Sequence, residues 1–107
     1  MSQEDLKASV TRKALSLCLK RISHGNSPLP ANLMNSIRDQ LEWLISFYDG
    51  NSEDRQKLKT LTFGVYAAKE IEDSDPELRD ALNLAFYAAS CTLRGVTCDS
   101  EILAKNA

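Results

Sequence analysis

The stretch LTFGVYAAKEIEDSDPELRDAL, Leu61 to Leu82, decides the fold because it predicts the end of one helix and the immediate start of another. The boundary is the tetrapeptide Ser74-Asp75-Pro76-Glu77. It combines a side-chain oxygen that can cap a helix, a proline suited to the first turn and carboxylates beside the positive end of the peptide dipole. A helical chain is therefore expected to reverse direction here.

The same stretch concentrates negative charge, although the formal net charge of the whole chain is only -2. We call residues 69–80 the acidic corner. Its carboxylates are Glu70, Glu72, Asp73, Asp75, Glu77 and Asp80, and its cations are Lys69 and Arg79. A carboxylate cluster beside a helix start most often serves capping and solvation, and the main alternative is a protein-binding surface that complements cations.

Outward from this boundary, the spacing of apolar residues predicts four helices, at about 4–23, 30–48, 53–72 and 75–94. Gly25 and the prolines of the loop HGNSPLP separate the first two. Ser52 is placed to cap the third, where Gly64 indicates a close backbone approach by a neighbouring helix. Gly95 ends the fourth. The tail, 96–107, is expected either to form a short extra turn or to fray.

Short connections between four amphipathic helices imply antiparallel neighbours, so the predicted fold is all-α, a small bundle of four antiparallel helices. The 107 residues, 43% of them apolar, suit a single domain spanning 1–107. No apolar run is long enough to span a membrane, and the N-terminus lacks the apolar core of a secretory signal, so a cytoplasmic location is expected. Cys18, Cys91 and Cys98 are predicted to be buried free thiols.

Side chains for catalysis or metal binding do not show the spacing that known sites require. The single histidine, His24, lies in a loop-like segment where an exposed polar role is the simpler interpretation. The Glu-x-x-His pairs through which helical bundles hold metals are missing, as are glycine-rich phosphate loops. A pI near 5.3 argues against a nucleic-acid binder. We expect no enzyme, no cofactor or metal, and no nucleic-acid or membrane partner.

Residues 61–96 resemble the small all-helical immunity proteins that protect bacteria from NAD-degrading toxins delivered by type VI secretion. The resemblance lies in LT-x-G (61–64), AAKE (67–70), DPEL (75–78), AL (81–82) and RG (94–95). It implies an inhibitor that binds the catalytic domain of an NAD(P)-degrading toxin and blocks access to its substrate, without catalysing a reaction itself.

The acidic corner suits this role, because a pocket for a pyrophosphate-bearing substrate is usually lined by cations. The predicted toxin-facing surface consists of Glu70, Asp73, Asp75 and Glu77, flanked by Tyr66 and Trp43. Trp43 lies beside the inward stripe of its helix, where it either anchors an interface or packs under a loop. The alternative function is a non-catalytic helical adaptor or regulatory subunit that binds another protein, or a second copy of itself, through the same corner.

Overall fold

Every regular element in the described part of the protein is helical. The protein is represented by a computed structural model that describes residues 2–71 and 74–106. Its elements are α1 (Gln3–His24), α2 (Ala31–Tyr48), a 3-10 helix (Arg55–Thr60), α3 (Phe63–Tyr66), a π-helical turn (Ala67–Ile71), α4 (Pro76–Arg94) and α5 (Ser100–Asn106). The predicted all-α class is confirmed. None of the described helices has the length and apolarity that crossing a membrane demands.

Helix α1 lies between α2 and α4 and runs antiparallel to both. Two contacts with each neighbour fix these directions. Toward α2 they join Arg12 to Asp49 and Cys18 to Met34, and toward α4 they join Lys7 to Thr92 and Arg21 to Asp75. For each neighbouring helix, the earlier of the two α1 residues contacts the end of that helix, and the later one contacts its beginning.

The predicted ends of α1 and α4 agree with the structure within one residue. Gly25 and Gly95 follow these helices in the left-handed conformation, with φ of 70° and 68°. Such a residue lets the chain leave a helix while its amide still bonds to the last turn. At the start of α4, Asp75 Oδ1 accepts a hydrogen bond from the Leu78 amide at 3.2 Å, so the capping oxygen belongs to Asp75.

The predicted third helix, 53–72, is wrong as a continuous element. The chain forms a 3-10 helix, breaks at residues 61–62 and resumes as α3 and the π-helical turn. At the break, Gln40 of α2 accepts hydrogen bonds through Oε1 from the amides of Thr62 and Phe63, at 2.7 and 3.1 Å. Ser52 accepts only from the amide two residues later, at 3.4 Å, and so caps a local turn. A contact from α2 therefore replaces the predicted helical hydrogen bonds.

The break also changes which side of this segment faces the core. As one continuous helix, this segment would turn the stripe Leu58, Leu61, Val65 and Ala68 toward the core, widened by Phe63, Tyr66, Ala67 and Ile71. Its first two members are buried, but Val65 is 47% exposed and Ala68 is exposed. After the break the buried residues are Phe63, Gly64, Ala67 and Ile71. The extended backbone at Leu61, with ψ of 131°, shifts the helical phase and turns the second half of the segment.

Gly64 lies where the segment meets α4, and a Cβ atom at this position would overlap the ring of Phe86. The same ring packs edge-on against Phe63, with ring centroids 5.2 Å apart. A neighbouring helix does contact Gly64 closely, but it does so through the Phe86 side chain, so the predicted approach of a helix backbone is wrong.

The tail forms the short helix α5, which settles the choice between a turn and a frayed end. A small apolar cluster attaches it to α1 and α4, made by Leu6, Val10, Ala88, Cys91, Cys98 and Leu103. All three cysteines are free and buried, as predicted. Burial raises the pKa of Cys18 to about 11 and that of Cys98 to about 12. Cys18 and Cys98 are thus protonated packing groups at neutral pH.

Candidate partner-binding surface

One arginine of α1 connects the acidic corner to the rest of the protein. Arg21 donates from Nε to Asp75 Oδ2 at 2.7 Å and from a terminal nitrogen to Glu77 Oε1 at 2.9 Å. The side chains of Arg21 and Asp75 are only 18% and 12% exposed, whereas that of Glu77 is 68% exposed. The three groups form a bridge whose inner part is shielded from water and whose outer carboxylate faces solvent.

This bridge fixes the charges of its inner members. The side-chain hydrogen bond from Arg21 lowers the pKa of Asp75, burial opposes this effect, and the amide of Leu78 lowers the pKa further. The hydrogen bonds to Asp75 and then to Glu77 raise the pKa of Arg21. Asp75 is therefore ionised, and its oxygens are occupied by α1 and by the first turn of α4. Its position gives it a structural role in the corner.

The other predicted surface residues have different surroundings. Glu70 is exposed on the π-helical turn, and Tyr66 is half-buried against the larger part of the core. Asp73, like Glu72, lies outside the described residues. The structure thus brings Asp75 and Glu77 together through Arg21, and it leaves the carboxylate of Glu70 on the outside of the protein.

Trp43 packs as its alternative interpretation proposed, beneath the segment that follows α2. Its ring is half-buried against the core and lies 5.5 Å from that of Phe47, measured between centroids. The ammonium of Lys57, from the 3-10 helix, stands 5.2 Å from the Trp43 ring centroid. This is within the range of a cation–π contact. The indole therefore contributes to internal packing and leaves only part of its surface for a partner.

A shallow groove lies between α1 and α4, next to the acidic corner, and was not predicted from the sequence. It encloses about 220 Å³. The apolar part of its lining is Val10, Leu17, Ala81 and Leu84, and the charged part is Lys13, Glu77 and Asp80. The α4 members recur at three- and four-residue steps, so helical periodicity could have placed them on one face. The groove joins apolar surface to exposed carboxylates, a combination suited to contact with another protein.

Cations interleaved along an amphipathic helix usually form a solvated face, but two of the cations of α1 do not. Arg12, Lys13 and Lys20 are exposed, but Lys7 is only 4% exposed and Arg21 is half-buried in the bridge described above. Lys7 shares the buried stripe of Thr11, Ala14 and Cys18, at spacings of four, seven and eleven residues. That periodicity was present in the sequence and was obscured by the charge of the side chain.

Residues 2–71 and 74–106 were predicted to hold no metal site, and the positions of their candidate ligands can be compared with that expectation. No three His, Cys, Asp or Glu side chains of these ranges are placed to hold a metal ion. His24 is exposed, but it is the last residue of α1 rather than a loop residue as predicted. The described surface offers exposed charge and apolar contact area, which are the means of binding another molecule.

Comparison with known proteins identifies the family of the chain. The family model for Tsi6 matches residues 7–91. The chain belongs to the Tsi6 family. The matched range contains α1 from Lys7 onward, α2, the segment 55–71 and α4 as far as Cys91, and thus the acidic corner and the groove. The immune protein Tsi6 of Pseudomonas aeruginosa is 41% identical over 64 residues, which cover 60% of this chain and 68% of that protein.

Two solved structures of Tsi6 proteins have a similar fold. A chain from the structure of Tse6 in complex with Tsi6 superposes with a TM-score of 0.76 at 32% identity, covering 85% of this chain and 94% of that one. Tsi6 from Pseudomonas aeruginosa gives a TM-score of 0.73 at 32% identity, covering 87% and 94%. The helical arrangement is thus shared with this family over most of the chain.

Proposed function

We propose that this chain is an immunity protein, which protects its own cell by binding the catalytic domain of a cognate antibacterial toxin and occluding it. The observation that carries the proposal is membership of the Tsi6 family, in which one relative is named an immune protein and a solved structure contains Tsi6 in complex with Tse6. The resemblance noted in the sequence adds an NAD(P)-degrading activity for the toxin and delivery by type VI secretion. The site of action is then the cytoplasm of the producing cell.

The surface proposed to contact the toxin is the acidic corner together with the groove between α1 and α4. Glu70 and Glu77 are exposed and can face cations around a pocket that receives a dinucleotide. Asp75 supports this surface by holding Arg21, which in turn holds Glu77. Asp73 remains part of the proposed surface by its place in the sequence, and Tyr66 and Trp43 remain its proposed apolar flanks.

The scaffold proposed for this role is a single domain built as an antiparallel bundle. In it the broken segment 55–71 takes the place of the predicted third helix, beside α1, α2 and α4. A surface carried on packed helices loses little conformational freedom when it binds. Such preorganisation suits an inhibitor that must engage its toxin before the toxin consumes the cell's NAD(P).

The function is tested by co-expressing this chain with the catalytic domain of the toxin encoded beside its gene, while cellular NAD(P) and growth are followed. We expect both to be preserved only when the chain is present, and the purified pair to form a stable complex. NAD(P) loss that is equal with and without the chain, from a toxin shown to be active, would show that the chain is not its inhibitor.

The surface is tested separately with charge-reversed variants. Glu70→Lys combined with Glu77→Lys should weaken toxin binding at least about tenfold, because like charges then face each other across the interface. Glu53→Lys, an exposed reversal outside the corner, is the matched control and should bind normally. Circular dichroism should show unchanged helicity, since exposed substitutions rarely unfold a helix. Normal binding by the double variant would move the interface elsewhere while leaving the inhibitor assignment intact.

A further inference from the structure

A second pocket lies at the other end of α1 from the acidic corner. It encloses about 280 Å³ where the start of α1, the 3-10 helix and the end of α4 meet. The side chains used below are Glu4, Lys7, Arg55 and Thr92, and the loop 95–97 completes the wall. No part of the proposed toxin surface is used in this pocket.

A buried ammonium group lies in the pocket. The Lys7 side chain is only 5% exposed. Its Nζ donates to Thr92 Oγ1 at 2.9 Å and makes a long contact of 3.5 Å with Glu4 Oε1. The Glu4 side chain is 56% exposed, so water weakens this ion pair. A desolvated ammonium has three donors and is costly unless an anion and further hydrogen bonds compensate it. Within the described residues the compensation is one hydroxyl and one distant, solvated carboxylate.

A second cation borders the same pocket. Arg55 donates from one terminal nitrogen to the carbonyl oxygen of Thr92 at 2.6 Å, which anchors the 3-10 helix to the end of α4. A guanidinium carries five N–H donors in a planar fork, and this one hydrogen bond uses only part of them. The pocket therefore presents two cations against one carboxylate, that of Glu4.

A further polar group nearby is left unsatisfied. The Tyr48 hydroxyl is buried and has no hydrogen-bond partner among the described residues. Burial raises the pKa of this phenol, while Thr92 acts in the opposite direction and the charge of Glu4 raises it further. Because Thr92 and Glu4 influence this pKa, Tyr48 is close to residues that line the pocket, and its hydroxyl is a buried polar group without a partner among the described residues.

We infer that this pocket binds a small oxyanion, a carboxylate or phosphate group, between the Lys7 ammonium and the Arg55 guanidinium. In the free protein the Glu4 carboxylate partly fills the place of that anion. Planar and tetrahedral oxyanions accept several charge-assisted hydrogen bonds at once, which a single carboxylate at 3.5 Å does not provide. Binding therefore displaces Glu4 toward solvent and completes the partners of Lys7.

The proposal is tested by titrating the full chain with inorganic phosphate at constant ionic strength and following the amide resonances of residues 95–97 by NMR. We expect saturable shifts. Arg55→Gln should weaken binding about tenfold, the scale of one charge-assisted hydrogen bond. Glu4→Gln should strengthen it several-fold, because the competing internal carboxylate is gone. Lys59→Gln, an exposed cation of the same 3-10 helix, is the matched control and should bind like the unchanged chain.

Arg55→Gln and Glu4→Gln are expected to change phosphate affinity in opposite directions, by about tenfold and several-fold. These changes distinguish a specific site from general attraction of anions to cations. Lys7→Met tests the buried ammonium directly, and Arg55→Gln keeps the test valid if that core variant fails to fold. Shifts that do not saturate, or the same affinity in the unchanged chain, Arg55→Gln and Glu4→Gln, would overturn the proposal.

The oxyanion can be a free ion or an acidic side chain of the bound toxin, and a competition experiment distinguishes the two. Phosphate that weakens toxin binding more than chloride of the same ionic strength identifies a toxin carboxylate as the occupant. Phosphate that still produces its shifts at residues 95–97 in the toxin complex identifies a free anion. Because the pocket is tested first without toxin, its failure and a failure of the proposed function are distinguishable.

Discussion

The Asp75 carboxylate joins Arg21 to the start of α4, since Arg21 Nε donates to Asp75 Oδ2 at 2.7 Å while Asp75 Oδ1 accepts from the Leu78 amide. One carboxylate thereby caps α4 and anchors the end of α1. We expect Asp75→Asn, which keeps a capping oxygen, to cost about 1 kcal/mol, and Asp75→Ala, which removes the cap as well, to cost about 2–3 kcal/mol of unfolding free energy.

A double-mutant cycle measures the ion pair itself. Combining Arg21→Met with Asp75→Asn should give a coupling energy of about 1 kcal/mol, because both side chains are largely shielded from water. The exposed pair of Arg12 and Asp49 is the matched control, with side chains 52% and 40% exposed, and should couple by less than about 0.5 kcal/mol. Urea unfolding provides the free energies. Equal coupling in the two pairs would mean that shielding has no influence here.

Acid should reveal the lowered pKa of Asp75. Its folded-state pKa lies below the ordinary value of 3.8, so the charged form stabilises the fold. This contribution is complete above about pH 5 and is lost as the pH falls through 3.8 toward the folded-state pKa. Asp75→Asn should therefore lose less stability than the unchanged protein between about pH 5 and pH 2. Urea midpoints measured across this range check the prediction, and parallel pH profiles would contradict it.

Local sequence signals were sufficient to predict the ends of those helices that begin with proline or are followed by a left-handed glycine. Proline at the first position of α4 and the left-handed glycines after α1 and α4 act within a few residues, so reading the sequence places these boundaries closely. The existence of α1, α2 and α4 followed from the spacing of their apolar residues. The acidic corner was likewise predicted from the sequence. The structural role of Asp75 in it was not, because that role depends on Arg21, which is 54 residues away in the chain.

Long-range contacts explain what the sequence analysis missed. The apolar periodicity continues through residues 53–72 and predicts one helix. The chain breaks there because the side-chain oxygen of Gln40, on another helix, accepts hydrogen bonds from two backbone amides of the segment. The burial of Lys7 depends on Thr92 in the same way. Tertiary hydrogen bonds overrode local propensity in both places. The toxin-facing residues remain a prediction.

Substitution of Gly64 tests the contact with Phe86. Gly64→Ala removes backbone freedom from the unfolded chain, which alone would stabilise the protein. Because the new methyl group would overlap the Phe86 ring, we expect a net loss of about 1–3 kcal/mol instead. Phe86→Leu in the Gly64→Ala background should recover part of this loss, and Phe86→Leu alone is the control. A stabilised Gly64→Ala protein would show that the ring moves aside at little cost.

Gln40 provides the last test, because its side chain determines where the segment after the 3-10 helix begins. Oε1 accepts from the amides of Thr62 and Phe63, and Nε2 donates to the Thr62 hydroxyl at 3.0 Å. Gln40→Leu leaves both amides without this acceptor and should cost about 1–3 kcal/mol. Hydrogen exchange of the Phe63 amide should accelerate at least about tenfold, through opening of the segment.

Gln40→Glu is the matched variant, because a carboxylate of the same length still accepts from both amides. It should preserve most of the protection at Phe63 and lose only the donations from Nε2 to the hydroxyls of Thr62 and Ser36, which can rotate to donate instead. If Gln40→Leu and Gln40→Glu accelerate exchange equally, the acceptor does not fix the segment. The break would then follow from the packing of Phe63 against Phe86, and Phe86→Leu should accelerate the same amide.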